Sequence, residues 1–275
     1  DMFRNPKLAA AVYRTQAEGE VVLELSSTMD IGEHAASNLG EIYAFTNADA
    51  VRLYKAGAYV GEFLPERKRF GHMPHPPVAI DDLIGDLLEK NEGFPKKVAD
   101  KVRALLLAIA KHGLSGLPLA AKAKAAELIL LHGLTFADGA RLYDDYVGGW
   151  GAQAVTWRFE ALQGGEVAAI VERGAARDVA LEAGADHTDL REGASYDMAL
   201  VRIRAVDASG SLLPYFQEPV ELFTEGPIEI VGPRIVSLKG GMFGTLVKTV
   251  GLVGEGKLTL RTAGAAPASV SFTVR

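Results

Sequence analysis

Apolar and polar residues alternate with a period of two through most of this chain, and one long helical stretch interrupts the alternation. Val21, Leu23 and Leu25 alternate with Val22, Glu24 and Ser26; Ile42 and Ala44 with Tyr43 and Phe45; Val51 and Leu53 with Arg52 and Tyr54. Residues two apart share one face of a strand, so each run predicts a strand with one buried side. Lys55-Ala56-Gly57 turns the chain into a further strand over 59–63. Pro65, Pro74, Pro76 and Pro77 follow. Proline removes ladder donors, so 65–80 reads as an extended connection and not a central strand. Alternation returns with Val155, Trp157 and Phe159 on one side and Thr156, Arg158 and Glu160 on the other. Gln163-Gly164-Gly165 predicts a hairpin turn, and Val167, Ala169 and Val171, then Val179 and Leu181, supply further strands.

Between these strands, 81–147 changes period. Val98, Val102, Leu105 and Ile109 recur at helical spacing, as do Phe136, Ala140, Tyr143 and Val147. Pro95 and Pro118 stand near helix starts, and Gly113 and Gly133 near helix ends. Thr135 with Asp138 resembles a capping box with Asp in place of Glu. Three or four short helices are predicted, packed as a cap on the first sandwich. Leu105, Leu106, Ile109, Leu128, Ile129 and Tyr143 are too many apolar groups to leave in water, so any surface not buried there should serve a partner. At the start of the chain, Asn5-Pro6 opens another helix with Leu8, Val12, Ala9 and Tyr13 on its apolar side, ending near Gly19. It has no partner helix nearby and is expected to be loosely held.

The fold class is therefore mainly β. One sandwich occupies 20–182 and carries a helical insertion at about 81–147, which loop-closure entropy tolerates. A second all-β unit runs over 183–275, where Val201, Ile203 and Ala205 point in and Arg202 and Arg204 point out. Its roughly seven short strands in about 90 residues match immunoglobulin-like spacing. Residues 1–19 stand apart as a single helix.

Composition narrows the function. The chain has 275 residues and a net charge of −6, which gives no reason to hold nucleic acid, and Arg67-Lys68-Arg69 is too short to be more than a solvated turn. The longest apolar run, 104–110, is far short of the roughly 20 residues a bilayer needs. No cysteine is present, which removes thiol chemistry and disulfides and fits a cytoplasmic protein. The chain opens on Asp1 and on a finished motif, so it is expected to be a piece of a longer polypeptide.

Several motifs then occur in a meaningful order. Asp1-Met-Phe-Arg-Asn-Pro-Lys7 with the Ala-rich helix ending in Tyr13 and Gln16 resembles the end of the catalytic barrel of family 2 glycoside hydrolases. Leu23-Glu-Leu-Ser-Ser27 and Tyr43-Ala-Phe-Thr-Asn-Ala-Asp-Ala-Val-Arg-Leu-Tyr54 resemble the domain that follows it. Val201-Arg-Ile-Arg-Ala-Val-Asp207, Asp207-Ala-Ser-Gly210, Pro219-Val-Glu-Leu222, Glu225-Gly-Pro-Ile-Glu-Ile230 and Lys239-Gly-Gly-Met-Phe-Gly-Thr245 resemble the final immunoglobulin-like domain of β-galactosidase-like members. The stretch 81–147 matches only a subgroup. The resemblance implies immunoglobulin-like sandwiches preceded by one helix left from an upstream TIM barrel. It implies a retaining glycosidase, whose proton donor and nucleophile are carboxylates about 5–5.5 Å apart. Both belong to the barrel, and nothing in this chain matches them, so no catalytic residue carries over. The implied partners are the upstream barrel of the same chain, the parent's carbohydrate substrate and, in a homo-oligomer, a second copy. No cofactor is implied.

Each candidate site also has a plainer structural reading. Asn91-Glu92 resembles the acid/base pair of this clan, yet it precedes Gly93 and reads as a helix end. Asp30, Glu33 and His34, and likewise Asp186, His187 and Asp189, are polar clusters that fit a metal or acid/base site or a solvated turn. His72 and His75 flank Met73-Pro74 without the further ligands that zinc needs, so no metal site is assigned. Lys239 precedes Gly240, Gly241 and Gly244, the wrong order for a phosphate cradle. Tyr43, Tyr54, Tyr59, Trp150 and Trp157 are possible sugar platforms; Trp157 reads as core, and Trp150, in a glycine-rich loop, is the one substrate-binding candidate. Two functions remain: a non-catalytic support region of a glycosidase, or an independent carbohydrate-binding module. A line of exposed aromatics would favour the second.

Overall fold

A computed structural model describes residues 2–29, 36–148, 155–174, 178–208 and 210–275. The chain divides into two compact units, one over Leu8–Ala175 and one formed by Asp1–Lys7 with Ala176–Arg275.

The first unit opens with α1 (Leu8–Thr15), then β1 (Leu23–Leu25), β2 (Ile42–Thr46), β3 (Ala50–Lys55), β4 (Ala58–Phe63) and β5 (Val78–Ile80). Four helices follow: α2 (Leu87–Glu92), α3 (Lys96–His112), α4 (Leu119–His132) and α5 (Phe136–Tyr146). β6 (Trp157–Gln163) and β7 (Glu166–Arg173) complete it. The strands form two sheets of order β1-β2-β5 and β4-β3-β6-β7, so the helices are an insertion between β5 and β6. One continuous core joins both parts. Leu25, Leu53, Trp157 and Phe159 from the strands pack with Leu88, Val102, Leu106, Leu142 and Tyr146 from the helices.

Local chemistry explains where these elements begin and end. The β6–β7 hairpin turns through Gly164 and Gly165, whose φ values of 60° and 87° suit glycine. The Asp49 carboxylate pins that turn by accepting from the Gly164 N–H at 2.7 Å. The Thr135 hydroxyl accepts from the Asp138 N–H at 3.1 Å, and the Asp138 carboxylate accepts from the Thr135 N–H at 2.8 Å, so the capping box forms as read. Helix α1 does not lie loose. It buries Ala11 and Thr15, one turn apart, and leaves Leu8 and Tyr13 exposed. The Gln16 side-chain amide then donates to the His75 carbonyl and accepts from the His75 N–H, which ties the helix end to the proline-rich connection.

The second unit contains β8 (Val179–Ala185), β9 (Asp189–Leu190), β10 (Met198–Val206), β11 (Pro219–Glu225), β12 (Ile228–Val231) and β13 (Ile235–Ser237). It continues with β14 (Met242–Thr249), β15 (Gly254–Arg261), β16 (Ala265–Ala266) and β17 (Ala268–Val274). Two five-stranded sheets result, β12-β14-β10-β8-β16 and β13-β11-β15-β17-β9. Their inner faces meet at Val201, Ile203, Leu222, Val247, Leu258 and Phe272. Strand β8, which alternation alone put at the end of the first sandwich, pairs with β10 through Leu181–Ala205 and buries Leu181 in this second core. Residues 2–7 also belong here. The Asn5 side-chain amide donates to the Phe243 carbonyl at 2.9 Å, and the Phe3 and Phe243 rings meet at 5.0 Å. Gly244 makes room for that contact, because a Cβ there would lie 2.3 Å from the Phe3 ring.

Candidate functional site

Helices α3, α4 and α5 enclose a cleft of about 790 Å³. Its walls include Leu105 and Ile109 of α3, Ile129 of α4, and Phe136, Ala140 and Tyr143 of α5. Most of these are the residues whose spacing predicted the buried helix faces. The core takes Val102 and Val147 from those predicted faces together with Ala99 and Leu106 of α3 and Leu142 and Tyr146 of α5, and Val98, Leu105 and Tyr143 pack against it half-buried. Each helix is therefore apolar over more of its surface than the core buries, and the remainder, at Ile109, Ile129, Phe136 and Ala140, faces the cleft. The cleft has the size of a small-molecule site, but such sites add convergent polar groups. Here the polar lining is Ser37, Asn38, Thr135 and Asp144, and the Thr135 hydroxyl is committed to its cap. Burial raises the Tyr143 phenol above its ordinary value, with the nearby Asp144 acting in the same direction. The surface is suited to apolar contact rather than to proton transfer.

A second recess of about 360 Å³ lies among β2, β5, the 65–70 turn and α3, and it is polar. Glu41 faces Lys111 at 3.7 Å, and Glu66 faces Arg69 at 3.9 Å. The Arg69 guanidinium lies over the Tyr43 and Phe70 rings and donates to the Tyr43 hydroxyl at 2.6 Å. Of the basic cluster Arg67-Lys68-Arg69, one member is thus committed to aromatic and carboxylate neighbours.

The residues singled out from the sequence fall in separate places. Glu92 ends α2 before Gly93, which takes the left-handed conformation at φ 67°. Its carboxylate accepts from Arg141 Nη2 at 2.9 Å, from Arg141 Nη1 at 3.3 Å and from the Tyr146 hydroxyl at 2.9 Å. The Arg141 hydrogen bond, more than burial opposes it, holds the Glu92 carboxyl below its ordinary value. A glycosidase acid needs the opposite shift, so Glu92 is a clamp between α2 and α5. Asp186 accepts from the Leu200 N–H at 2.9 Å and meets His187 Nδ1 at 3.0 Å. Burial pushes its carboxyl up, but the Leu200 amide and His187 outweigh burial and lower it. Asp189 pairs instead with Arg275 at 3.0 Å. His75 is engaged through its backbone by Gln16. Among the described residues no three metal-ligating side chains converge. Lys239, Gly240 and Gly241 form a turn in which both glycines have positive φ. No helix among the described residues is long and apolar enough to cross a membrane.

The aromatics divide likewise. Trp157 is buried, Tyr43 lies beneath Arg69, and Tyr54 and Tyr59 meet edge to face at 5.7 Å. Trp150, and the cluster Asp30, Glu33 and His34, lie outside the described residues.

One group escaped the sequence reading. Lys55 is buried, donates from Nζ to the Asp145 carbonyl at 2.8 Å, and lies 5.1 Å from the Trp157 ring centre and 5.8 Å from that of Tyr146. Burial, only partly opposed by Asp145, lowers its pKa to about 8. The clue was register: Val51, Leu53 and Lys55 all occupy inward positions of β3. The ammonium ties α5 to the sheet.

With this geometry established, similarity to known proteins is informative. No protein-family model matches the chain. A β-galactosidase of Rhizobium radiobacter is 41% identical over 107 residues, which cover 37% of this chain and 73% of that relative. A β-galactosidase of Rhizobium meliloti is 25% identical over 241 residues, covering 86% of this chain and 24% of the relative. Among solved structures, a glycosyl hydrolase family 2 member from Bacteroides cellulosilyticus superposes with a TM-score of 0.56 at 11% identity, covering 100% of this chain and 31% of its own. The chain thus spans about a quarter of the Rhizobium meliloti relative and under a third of that structure. The long relative and the structure match both units together and favour a region of a larger glycosidase over an independent carbohydrate-binding module. The chain belongs to the family 2 glycoside hydrolases, as a non-catalytic C-terminal region of a β-galactosidase-like member.

Proposed function

We propose that this region supports a retaining glycosidase acting on β-galactosides, and that it does so by packing, with the reacting carboxylates supplied by an upstream barrel of the same polypeptide. The observation that carries this is the apolar cleft left open between α3, α4 and α5. A helix that has already filled the core with Val102 and Leu106, and half-buried Leu105 against it, still presents Ile109 to the cleft, beside the exposed Ile129 and Phe136. Glu92, the nearest match to an acid/base residue, is committed to Arg141 and Tyr146 and held ionised, the wrong state for a proton donor. On this reading α1 is the last helix of the barrel, the insertion borders the barrel, a subunit interface or the active-site rim, and Trp150 is the aromatic to test for sugar contact.

The test compares two proteins on an aryl-β-galactoside. The 275-residue chain alone is expected to give no turnover, and a β-galactosidase carrying this region is expected to lose activity or thermal stability when 20–275 is deleted. Turnover by the chain alone that survives repurification and disappears on replacing one of its own carboxylates would overturn the reading.

A further inference from the structure

We propose that the outward face of α4 is a two-fold contact through which a second copy of this chain docks, helix against antiparallel helix. Ten of the fourteen residues of α4 are Ala, Leu or Ile. A helix this rich in apolar residues normally has most of its surface covered, yet α4 buries only Ala121 and Leu128 on its core side. On the opposite side Leu119, Ala123, Ala126 and Leu130 are exposed, the two leucines at 83% and 80%. Their spacing of four, three and four residues forms a straight seam, as in helices that pair along their length.

The seam also reads the same in both directions, leucine at each end and alanine in the middle. Two copies related by a two-fold axis therefore fit without any second surface, as an isologous contact requires. Antiparallel pairing sets Leu119 against Leu130 of the other copy and Ala123 against Ala126, so the backbones approach closely at the centre. A parallel pair would draw on Lys122 and Glu127 across the seam, but Glu127 already holds Lys101 at 2.5 Å. Opposed helix dipoles add to the antiparallel choice.

The available area is enough for a modest dimer. Beside the seam Leu131 is 73% exposed, and where the face meets the mouth of the cleft Ile129 is 51% exposed and Phe136 of α5 77%. With about 100 Å² for each large side chain, this face offers on the order of 500 Å² per copy. A pair then buries about 1,000 Å², the lower bound for a specific interface and far more than an isolated exposed leucine needs explaining. The dimer should accordingly be of micromolar rather than nanomolar strength.

Sedimentation of the chain at protein concentrations of about 1 to 100 μM tests this. A monomer–dimer equilibrium is expected, and Ala123→Glu or Leu130→Lys should weaken it by about tenfold or more with unchanged thermal unfolding. Because the chain has no cysteine, register can be read directly. Leu119 and Leu130 lie about 16 Å apart along one helix, beyond disulfide reach. Leu119→Cys mixed with Leu130→Cys should cross-link on oxidation, and neither variant alone should. This arm holds even if a charged variant fails to fold. A chain that stays monomeric throughout the range, a dimer indifferent to both charged variants, or cross-linking of Leu119→Cys with itself would each overturn the proposal. Failure here leaves the glycosidase reading intact, since that is tested by activity and not by self-association.

Discussion

In β10 of the C-terminal unit every second residue, Ala199, Val201, Ile203 and Ala205, is fully buried, and Arg202 and Arg204 between them keep contact with water. In α3 of the first unit Val102 and Leu106 are buried at the floor of a cleft, while Leu105 and Ile109 beside them are only half-buried on its wall. The strand has one apolar face and one use for it. The helix is apolar over a wider arc than the core buries. Sheet residues alternate strictly between two faces, so surplus apolar character on a strand would have to face solvent in a regular row. Helix residues spread around a cylinder, and the apolar arc can be widened without disturbing the part that is buried. The insertion can thus be part of the core of its own unit and still offer contact to another surface.

The sharpest way to break this comparison is to charge the part of the arc that is buried. Leu106 is 1% exposed and sits where α3 meets the sandwich core. Leu106→Asp should lose the burial energy and strand a charge, at a cost of about 3–5 kcal/mol. Both tryptophans fall within 8–175, so fluorescence in urea reports on the first unit. A strong fall in its midpoint is expected, and an unchanged midpoint would mean that the helices do not share the sandwich core.

Lys55 tests the junction of sheet and insertion through pH. Its folded pKa of about 8 lies below the ordinary 10.5. Between these values the unfolded chain binds more protons than the folded one, so stability should rise as pH climbs from about 8 to 10.5, by on the order of 3 kcal/mol at most. Below pH 8 the penalty of the buried charge is constant. Lys55→Met should flatten the rise, as followed by thermal unfolding across the window. A variant with the same slope as the parent would show that Lys55 is not the titrating group.

A smaller effect is expected at the α2–α5 clamp. Glu92→Ala leaves Arg141 and the Tyr146 hydroxyl without their acceptor and should cost about 1–2 kcal/mol, since Arg141 is half exposed. The folded carboxyl is held below its ordinary 4.5, so its contribution is complete above that value and is lost as pH falls beneath it. Relative to its own neutral stability, the parent should therefore lose stability more steeply below about pH 4.5 than a Glu92→Gln variant, whose acid limb should be shallower. Below this in size is the capping box. Thr135→Ala should cost about 1 kcal/mol in chemical denaturation, and a change of a few tenths or less would show that the insertion does not depend on the start of α5.

The parts that were legible in the sequence are those set by neighbours in the chain. The β6–β7 turn at Gly164-Gly165, the Thr135–Asp138 cap and the inward positions of β10 follow from local rules. What was not legible depends on distant partners. Alternation shows that Val179 and Leu181 lie in a strand but cannot say that the strand pairs with β10. Helical spacing found an apolar stripe on α5 at Phe136, Ala140, Tyr143 and Val147, of which Val147 is buried and Tyr143 half-buried against the core, but it did not show that Leu142 and Tyr146 join them there. Small residues hid the docking face of α1, where Ala11 and Thr15 are buried in place of Leu8 and Tyr13. Glu92 reads correctly as a helix end, but its clamp was hidden because Arg141, which holds it, is 49 positions away.

The smallest expected effect is the one that most sharpens the contrast between the buried and the cleft-facing apolar surface. Phe136 begins α5, is 77% exposed and stands on the wall of the cleft. A ring so exposed gives up little water-excluded area to the folded chain, so Phe136→Asp should change the stability of the isolated protein by less than about 0.5 kcal/mol. An acidic residue in the first turn of a helix is itself favourable, which offsets part of any loss. The same change would be severe at Leu106, about two-thirds of the way along α3, although both residues are large and apolar. If the cleft-facing surface serves a partner, Phe136→Asp should instead weaken association with whatever covers it, measured on the intact glycosidase or on the self-associated chain. A loss of stability approaching that of Leu106→Asp would mean that the cleft-facing surface belongs to the core after all, and the distinction between helix and strand drawn above would fail.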